Sequence, residues 1–336
     1  MADRSKIEWT DATWNPVVGC KVHGPGCQRC YAMRLAGTRM KDHPTRRGLT
    51  VPSKSGPIWN GEVRFNEAEL VKPLHWRRPR LIFAVAHGDL WYEAVPTAWI
   101  DRVMAVAALS PQHVFQFLTK RSERQTAYLA DPETPERVWA AAGELSDPLR
   151  ALAAQGATWG GDMPWPLRNA WIGVSVEDQV RADRRREHLR AIAKLGWATW
   201  VSYEPALGLV DWSGWEFIRW MVSGGESGPD SRPSHPDWHR ATWSWCDDNA
   251  IAYLFKQWGD WAPVGRFDCD RSAVAAYRGE ILTLVMSGCE TKLCFPTLED
   301  EVMGPTLMLE RIGKRAAGRL LDGREHNGMP FFRKAA

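Results

Sequence analysis

The chain has no apolar run long enough to span a bilayer, which excludes a helical membrane protein. Its first residues, "MADRSKIEWTDATW", lack the apolar core of a secretory signal, so the expected address is the cytoplasm of a bacterium or a phage-infected host. No repeat or low-complexity segment stands out, which argues against a solenoid or a disordered array. The net charge is only +3, too small to identify a nucleic-acid-binding protein from bulk charge. Cysteine is sparse, with 7 in 336 residues. In a reducing compartment clustered thiols serve metals or redox chemistry more often than disulfides.

Those cysteines are unevenly placed. Cys20, Cys27 and Cys30 crowd into "WNPVVGCKVHGPGCQRCY". This Gly- and Pro-rich loop has no apolar periodicity that would make them packing residues. Three thiols suit a cubane iron–sulfur cluster with one iron left open to an outside ligand. A structural zinc site instead needs a closed tetrahedral shell, which His23 in the same loop would complete. Both readings follow from the spacing.

Short β-rich runs alternate with helix-like segments: "TWNPVV" (13–18), "LIFAVA" (81–86), "HVFQFLT" (113–119), "AWIGVSV" (170–176), "ATWVSYE" (198–204), "IRWMVSGG" (218–225) and "IAYLFKQ" (251–257). Apolar runs separated by helices predict an α/β fold, a partial (β/α)6-type parallel barrel over residues 1–260. Residues near 130–169 form an insertion. Residues 261–336, with a possible hairpin in "AAYRGEILTLVM" and a basic tail, form a C-terminal appendage of unassigned fold. Cys246, Cys269, Cys289 and Cys294 offer a second metal site at irregular spacing; the alternative is that they are small buried hydrophobes.

In such a barrel the carboxyl ends of the strands carry the chemistry. That rim holds Cys20, His87, Asp89, Thr119, Lys120, Ser175, Glu177, Tyr203, Glu204, Gly224, Gly225 and Glu226. "VSGGESG" (222–228) permits close backbone approach, but it is neither a P-loop nor a dinucleotide fingerprint. Lys120 and Arg121 read as phosphate or substrate-carboxylate contacts, and Asp178 as a helix start. Barrel-rim salt bridges and helix caps are the plain alternative for all of these. Basic stretches at 72–81, 119–124 and 181–190, with 20 tryptophans, suit stacking on bases and holding phosphates. Solvated helix faces and core tryptophans fit the same residues.

The loop "NPVVGCKVHGPGCQRCYAMR" resembles the cluster loop of radical S-adenosylmethionine enzymes, especially the branch containing spore photoproduct lyase. The likeness is carried by Asn15, Pro16, Gly19, Cys20, Cys27, Cys30, Tyr31 and Ala32. Six residues separate Cys20 from Cys27 where that family has three, and Arg29 stands where an aromatic is frequent. "IEWTDATWNPVVGC", "FLTKRSER", "WIGVSVED", "SYEPALG", "VSGGESG" and "GKRAAGRLLDGREH" resemble the phage-associated Gp37/Gp68 family. The resemblance implies a [4Fe–4S] cluster on the three cysteines and S-adenosyl-L-methionine as cosubstrate. It further implies an external electron donor and a nucleic-acid substrate, in particular a pyrimidine of DNA undergoing isomerisation, repair or other modification; the alternatives are a small-molecule or peptide substrate, or a zinc-bearing nucleic-acid-binding module without catalysis. Tyr31, Asp89, Ser175, Glu177, Glu204, Gly224 and Gly225 would bind the cosubstrate. Asp89 would take its ammonium, Ser175 its carboxylate and Glu177 its ribose, while Glu204 would serve the ribose or the substrate.

Overall fold

A computed structural model describes residues 5–145, 165–267, 281–287, 290–294 and 306–330, with the backbone alone described over 264–308. Seven strands form one curled parallel sheet, a partial barrel, in chain order: β1 (Ala12–Trp14), β2 (Leu81–Ala84), β3 (Val114–Thr119), β4 (Ala170–Ser175), β5 (Ala198–Tyr203), β6 (Trp220–Gly224) and β7 (Ala252–Gln257). Sequence and sheet order coincide because each strand is followed by a crossover that returns to the same edge. β4 and β6 are buried along their whole length, as strands covered on both faces require.

The crossover helices read out their apolar spacing. In α1 (Thr97–Ala108) the buried Ile100, Val103, Met104 and Ala107 recur at helical intervals. The arginine-rich helix α2 (Gln179–Lys194) buries Ala182, Leu189 and Ile192, and the Asp178 side chain accepts from the Arg181 amide at its start. The helix start expected at Asp178 is therefore found.

"TWNPVV" does not continue as one strand. β1 pairs with Ile82–Ala84 and then ends at Asn15–Pro16, where proline removes the next ladder donor. Val17–Val18 turn away to pair antiparallel with Arg64–Phe65. The loop between those partners holds all three clustered cysteines.

The chain divides into two compact units. The first comprises residues 1–175, 183–202 and 213–220, and the second residues 176–182, 203–212 and 221–336. Tryptophan fills the first unit: Trp9 lies 5.3 Å from Trp200 and 6.0 Å from Trp220, and Trp171 lies 5.6 Å from Trp220. A Cβ on Gly173 would come within 2.4 Å of the Trp200 ring, so glycine there is the space the indole occupies. No described tryptophan is exposed, which makes these residues mainly core rather than a surface stacking array.

In the second unit, strands Trp261–Phe267, Thr306–Arg311, Ile281–Ser287 and Glu290–Cys294 form an antiparallel sheet in that spatial order. The predicted hairpin at 275–286 falls partly outside the described residues; the observed pairing joins Ile281–Ser287 to Glu290–Cys294 instead. Of the insertion near 130–169, residues 134–145 form a helix, and 146–164 lie outside the described residues. No helix among the described residues is long and apolar enough to cross a membrane.

Candidate active site

The cysteine loop is held to the end of β2 by backbone and side-chain bonds. The Gly19 amide donates to the His87 carbonyl at 3.2 Å, and the His87 amide donates to Asn15 Oδ1 at 2.8 Å. Gly19 sits at φ +95°, and a Cβ there would lie 2.2 Å from the Glu62 carbonyl oxygen. Only glycine meets both conditions, so the Gly-Cys pair has a steric origin. Cys27 ends a single 3₁₀ turn, Pro25–Cys27, and Cys30 is the residue that opens the short helix Tyr31–Gly37.

Cys20 and Cys30 pack against the same small apolar cluster, and burial governs both thiols. Burial, and then the charge of Asp89, pushes the Cys20 thiol up to about 12, while Arg121 pulls the other way. Burial also raises Cys30, against the backbone amides of Met33 and Ala32 and the ammonium of Lys120. Among the described residues, no three His, Cys, Asp or Glu side chains converge on a point where a metal ion would be held. A cubane takes one thiolate on each of three irons, and three cysteines on one loop are that donor set by chemistry.

Arg121, read from sequence as a phosphate contact, has a different position. It is 5% exposed, and Nη1 donates to Asp89 Oδ2 at 3.0 Å and lies 3.6 Å from Cys20 Sγ. Nη2 donates to the Lys21 carbonyl at 2.8 Å, Nε donates to Glu93 at 3.0 Å, and the guanidinium lies 4.6 Å from the Tyr92 ring centroid. These acidic neighbours raise its already high pKa, so it stays cationic. It clamps the loop at Cys20.

Asp89 is equally engaged. Its Oδ1 accepts from Thr119 Oγ1 at 2.6 Å and the Trp91 amide at 3.1 Å, and its Oδ2 from Arg121 and the Lys120 amide at 3.3 Å. A methionyl ammonium would compete with these donors for the carboxylate, which pairs with Arg121. Tyr31 donates from its hydroxyl to the Ala86 carbonyl at 2.6 Å while remaining 51% exposed. His87 accepts from Arg46 at 2.7 Å, and burial and that guanidinium lower its pKa to about 4. Cys20, Tyr31, Asp89, Lys120 and Arg121 thus meet in the first unit.

Ser175 ends β4, 3% exposed, its carbonyl accepting from Arg185. Glu177, 1% exposed, lies in the second unit, where its carbonyl accepts from the Leu207 amide at 2.8 Å. In the same unit Glu204 Oε1 accepts from Lys256 Nζ at 2.7 Å and from Gln257 Nε2 at 3.2 Å. A Cβ on Gly225 would lie 1.9 Å from the Trp258 carbonyl oxygen, and one on Gly224 would lie 3.3 Å from the Gln257 carbonyl oxygen. The Gly225 amide donates to the Gln257 carbonyl at 2.9 Å. Packing of one chain segment on another therefore accounts for Gly225, where the sequence suggested approach to a ligand.

Sequence reasoning missed Glu93, Tyr92, Arg46 and Lys256, which partner the named residues; only sheet register brings them into place. The arginines of α2 also have internal acceptors: Arg185 bonds the Ser175 carbonyl, Arg186 the Ser213 carbonyl, and Arg190 both Glu187 and the Gly214 carbonyl. Cys246 is fully buried, and burial alone raises its thiol, as for a small apolar residue. Cys269 and Cys289 lie outside the described residues, as does the side chain of Cys294.

No curated protein and no solved structure matches the chain. Residues 4–330 match the family described as Protein of unknown function (DUF5131), and with nearly its whole length covered the chain belongs to that family.

Proposed function

We propose that this protein is a radical S-adenosylmethionine enzyme in which Cys20, Cys27 and Cys30 hold a [4Fe–4S] cluster, and that it modifies a pyrimidine base of DNA. The observation that carries the reading is the placement of three thiols on one loop after the first strand of a parallel half-barrel, with the Arg121 guanidinium 3.6 Å from Cys20 Sγ. The chemistry such a group supplies when bound is one-electron reductive cleavage of the cosubstrate's sulfonium C–S bond. The electron comes from an external donor, and the products are methionine and a 5′-deoxyadenosyl radical that takes hydrogen from the substrate.

The chain's own residues supply position and charge. Arg121 and Lys120 offset the negative charge that three thiolates bring to a half-buried site. Asp89 and Glu93 hold Arg121 in place, and the Tyr31 hydroxyl bond to Ala86 fixes the start of the helix that follows Cys30. Ser175, Glu177 and Glu204 are the polar strand-end groups proposed for the cosubstrate, with Gly224 and Gly225 beside Glu204's partner Gln257.

Anaerobic reconstitution tests the reading. The wild-type protein is expected to take up roughly four irons, to show a brown absorbance that bleaches on reduction, and to release 5′-deoxyadenosine from S-adenosylmethionine. Cys27→Ala should abolish that release. A colourless protein with one tightly held zinc, or full cleavage by the variant, would overturn it. Mass spectrometry of nucleosides from DNA treated with the reduced enzyme identifies the altered base, and unchanged mass marks an isomerisation.

A further inference from the structure

Charge is distributed far from evenly along the chain. Residues 20–61 hold eight lysines and arginines against a single acid, Asp42, whereas the whole chain has a net charge of only +3. The segment carrying the cysteines is therefore strongly basic, and the rest of the protein is net acidic. Such a contrast between regions marks where a polyanion is attracted.

The fold turns this segment into a small module with its own core. Val18, Ala32, Met33, Ala36, Leu49 and Trp59 pack together, with Cys20, Cys30 and Ile58 against them. The helix Tyr31–Gly37 packs on the two-stranded ribbon of Thr50–Val51 and Ile58–Trp59. With the apolar side chains inside, six of the eight cations are left outside. Lys21, Arg34, Arg39, Lys41, Arg47 and Lys54 are all exposed, and none of their side chains forms an ion pair or hydrogen bond with the described residues.

Other basic stretches differ in this respect. The arginines of α2 bond to carbonyls and to Glu187, as given above. In the stretch 72–81, Lys72 pairs with Glu69 and Arg80 lies 4.8 Å from the Trp76 ring centroid, leaving Arg77 and Arg78 exposed. Six exposed cations without internal acceptors on one module are what phosphate neutralisation needs. The exposed ring of Tyr31, fixed by its hydroxyl bond, adds an aromatic face within the same module. Exposed large apolar side chains here are limited to Val22, Tyr31 and Val51, too sparse for the continuous apolar face of a membrane-surface helix.

We infer that residues 20–61 form the docking surface for a nucleic-acid backbone, held by the six exposed cations, so that the strand lies against the loop bearing Cys20, Cys27 and Cys30. The inference rests on the nucleic-acid part of the proposed function and is independent of its radical chemistry. It makes the module both the holder of the cysteines and the landing site for substrate.

The test is fluorescence anisotropy of a labelled oligonucleotide, as single strand and as duplex, with the full-length protein over roughly 50 to 200 mM salt. Wild type should bind, with log affinity falling linearly with log salt. Arg39→Gln/Lys41→Gln/Arg47→Gln should reduce the slope by about 2 on single strands and about 3 on duplex, weakening binding about tenfold or more at the lower salt. Arg77→Gln/Arg78→Gln should change the slope by less than about 1. Circular dichroism melting checks that both variants are folded, as expected for exposed positions.

No binding by wild type, an unchanged slope in the triple variant, or a larger effect of the Arg77/Arg78 pair would each overturn the inference. Capture by anionic phosphatidylserine vesicles without nucleic-acid binding would also overturn it, in favour of a membrane surface. Metal-free protein should bind as well as reconstituted protein. Patch-dependent binding without 5′-deoxyadenosine release would leave this inference standing and remove the radical reading. Release without nucleic-acid binding would do the reverse.

Discussion

Asp89–Arg121 in the first unit and Glu204–Lys256 in the second are both carboxylate–cation pairs near strand ends, and the sequence marks three of their four residues as ligand candidates. Their settings separate them. The side chains of Asp89 and Arg121 are 8% and 4% exposed; those of Glu204 and Lys256 are 17% and 15%. Asp89 receives four donors, and Arg121 reaches two carboxylates, a carbonyl and a thiol. Glu204 uses only Oε1, for Lys256 and Gln257, and Oε2 makes no hydrogen bond among the described residues. A buried charge with every lone pair engaged is scaffold, whereas a carboxylate with one oxygen still open can take a ligand. Residue type and strand position are shared by the two pairs; the number of donors is what differs.

Breaking the drier pair tests this most strongly. Arg121→Leu leaves Asp89 buried without its cation and removes the clamp on Cys20. Loss of one member of such a pair costs about 3–5 kcal/mol, read as a shift in the urea midpoint. Arg121→Lys should recover part of this, because an ammonium cannot reach Asp89, Glu93 and the Lys21 carbonyl together. If Arg121→Leu costs no more than a substitution at Glu204, the contrast between the pairs is wrong.

The same contrast shows what the sequence could convey. Strand identity was legible because buried parallel strands are apolar throughout: "AWIGVSV" and "ATWVSYE" could be placed within two residues of β4 and β5. The cysteine loop was legible because its spacing is local. The partners of Arg121 were not legible because Asp89 and Glu93 lie about thirty residues away and meet it through the alignment of β2 with β3. Tryptophan was ambiguous for a related reason: an indole beside arginine in sequence says nothing about which face of the element it occupies. Only burial separates Trp200 in the core from a stacking residue at the surface.

A neutral polar cluster in the second unit sharpens the comparison by its response to acid. His239 is fully buried, its Nδ1 2.6 Å from Ser223 Oγ and its Nε2 2.9 Å from Ser234 Oγ, and burial lowers its pKa to about 3. With a folded pKa below the unfolded value, the unfolded chain binds the proton first. Stability is therefore present above about pH 6.5 and lost as pH falls towards 3. One such group removes about 1.4 kcal/mol per pH unit, or about 2 kcal/mol at pH 5. Urea midpoints of wild type and His239→Gln across pH 7 to 4 should differ in slope by about one proton. Parallel slopes would show that His239 is not held neutral.

Glu204→Gln gives the smallest effect and separates stability from ligand binding. The glutamine keeps an acceptor for Lys256 and Gln257 at nearly the same shape and removes only the charge. Because this pair is partly exposed, the stability change should be about 1 kcal/mol, well below that of Arg121→Leu. If Glu204 holds a ribose hydroxyl, the same substitution should weaken S-adenosylmethionine binding by about tenfold, the loss of one charge-assisted hydrogen bond. Calorimetric titration of folded variant and wild type reads that difference directly. Unchanged affinity would put Glu204 with Asp89 as scaffold, whereas weakened affinity with an almost unchanged midpoint would keep it as a ligand.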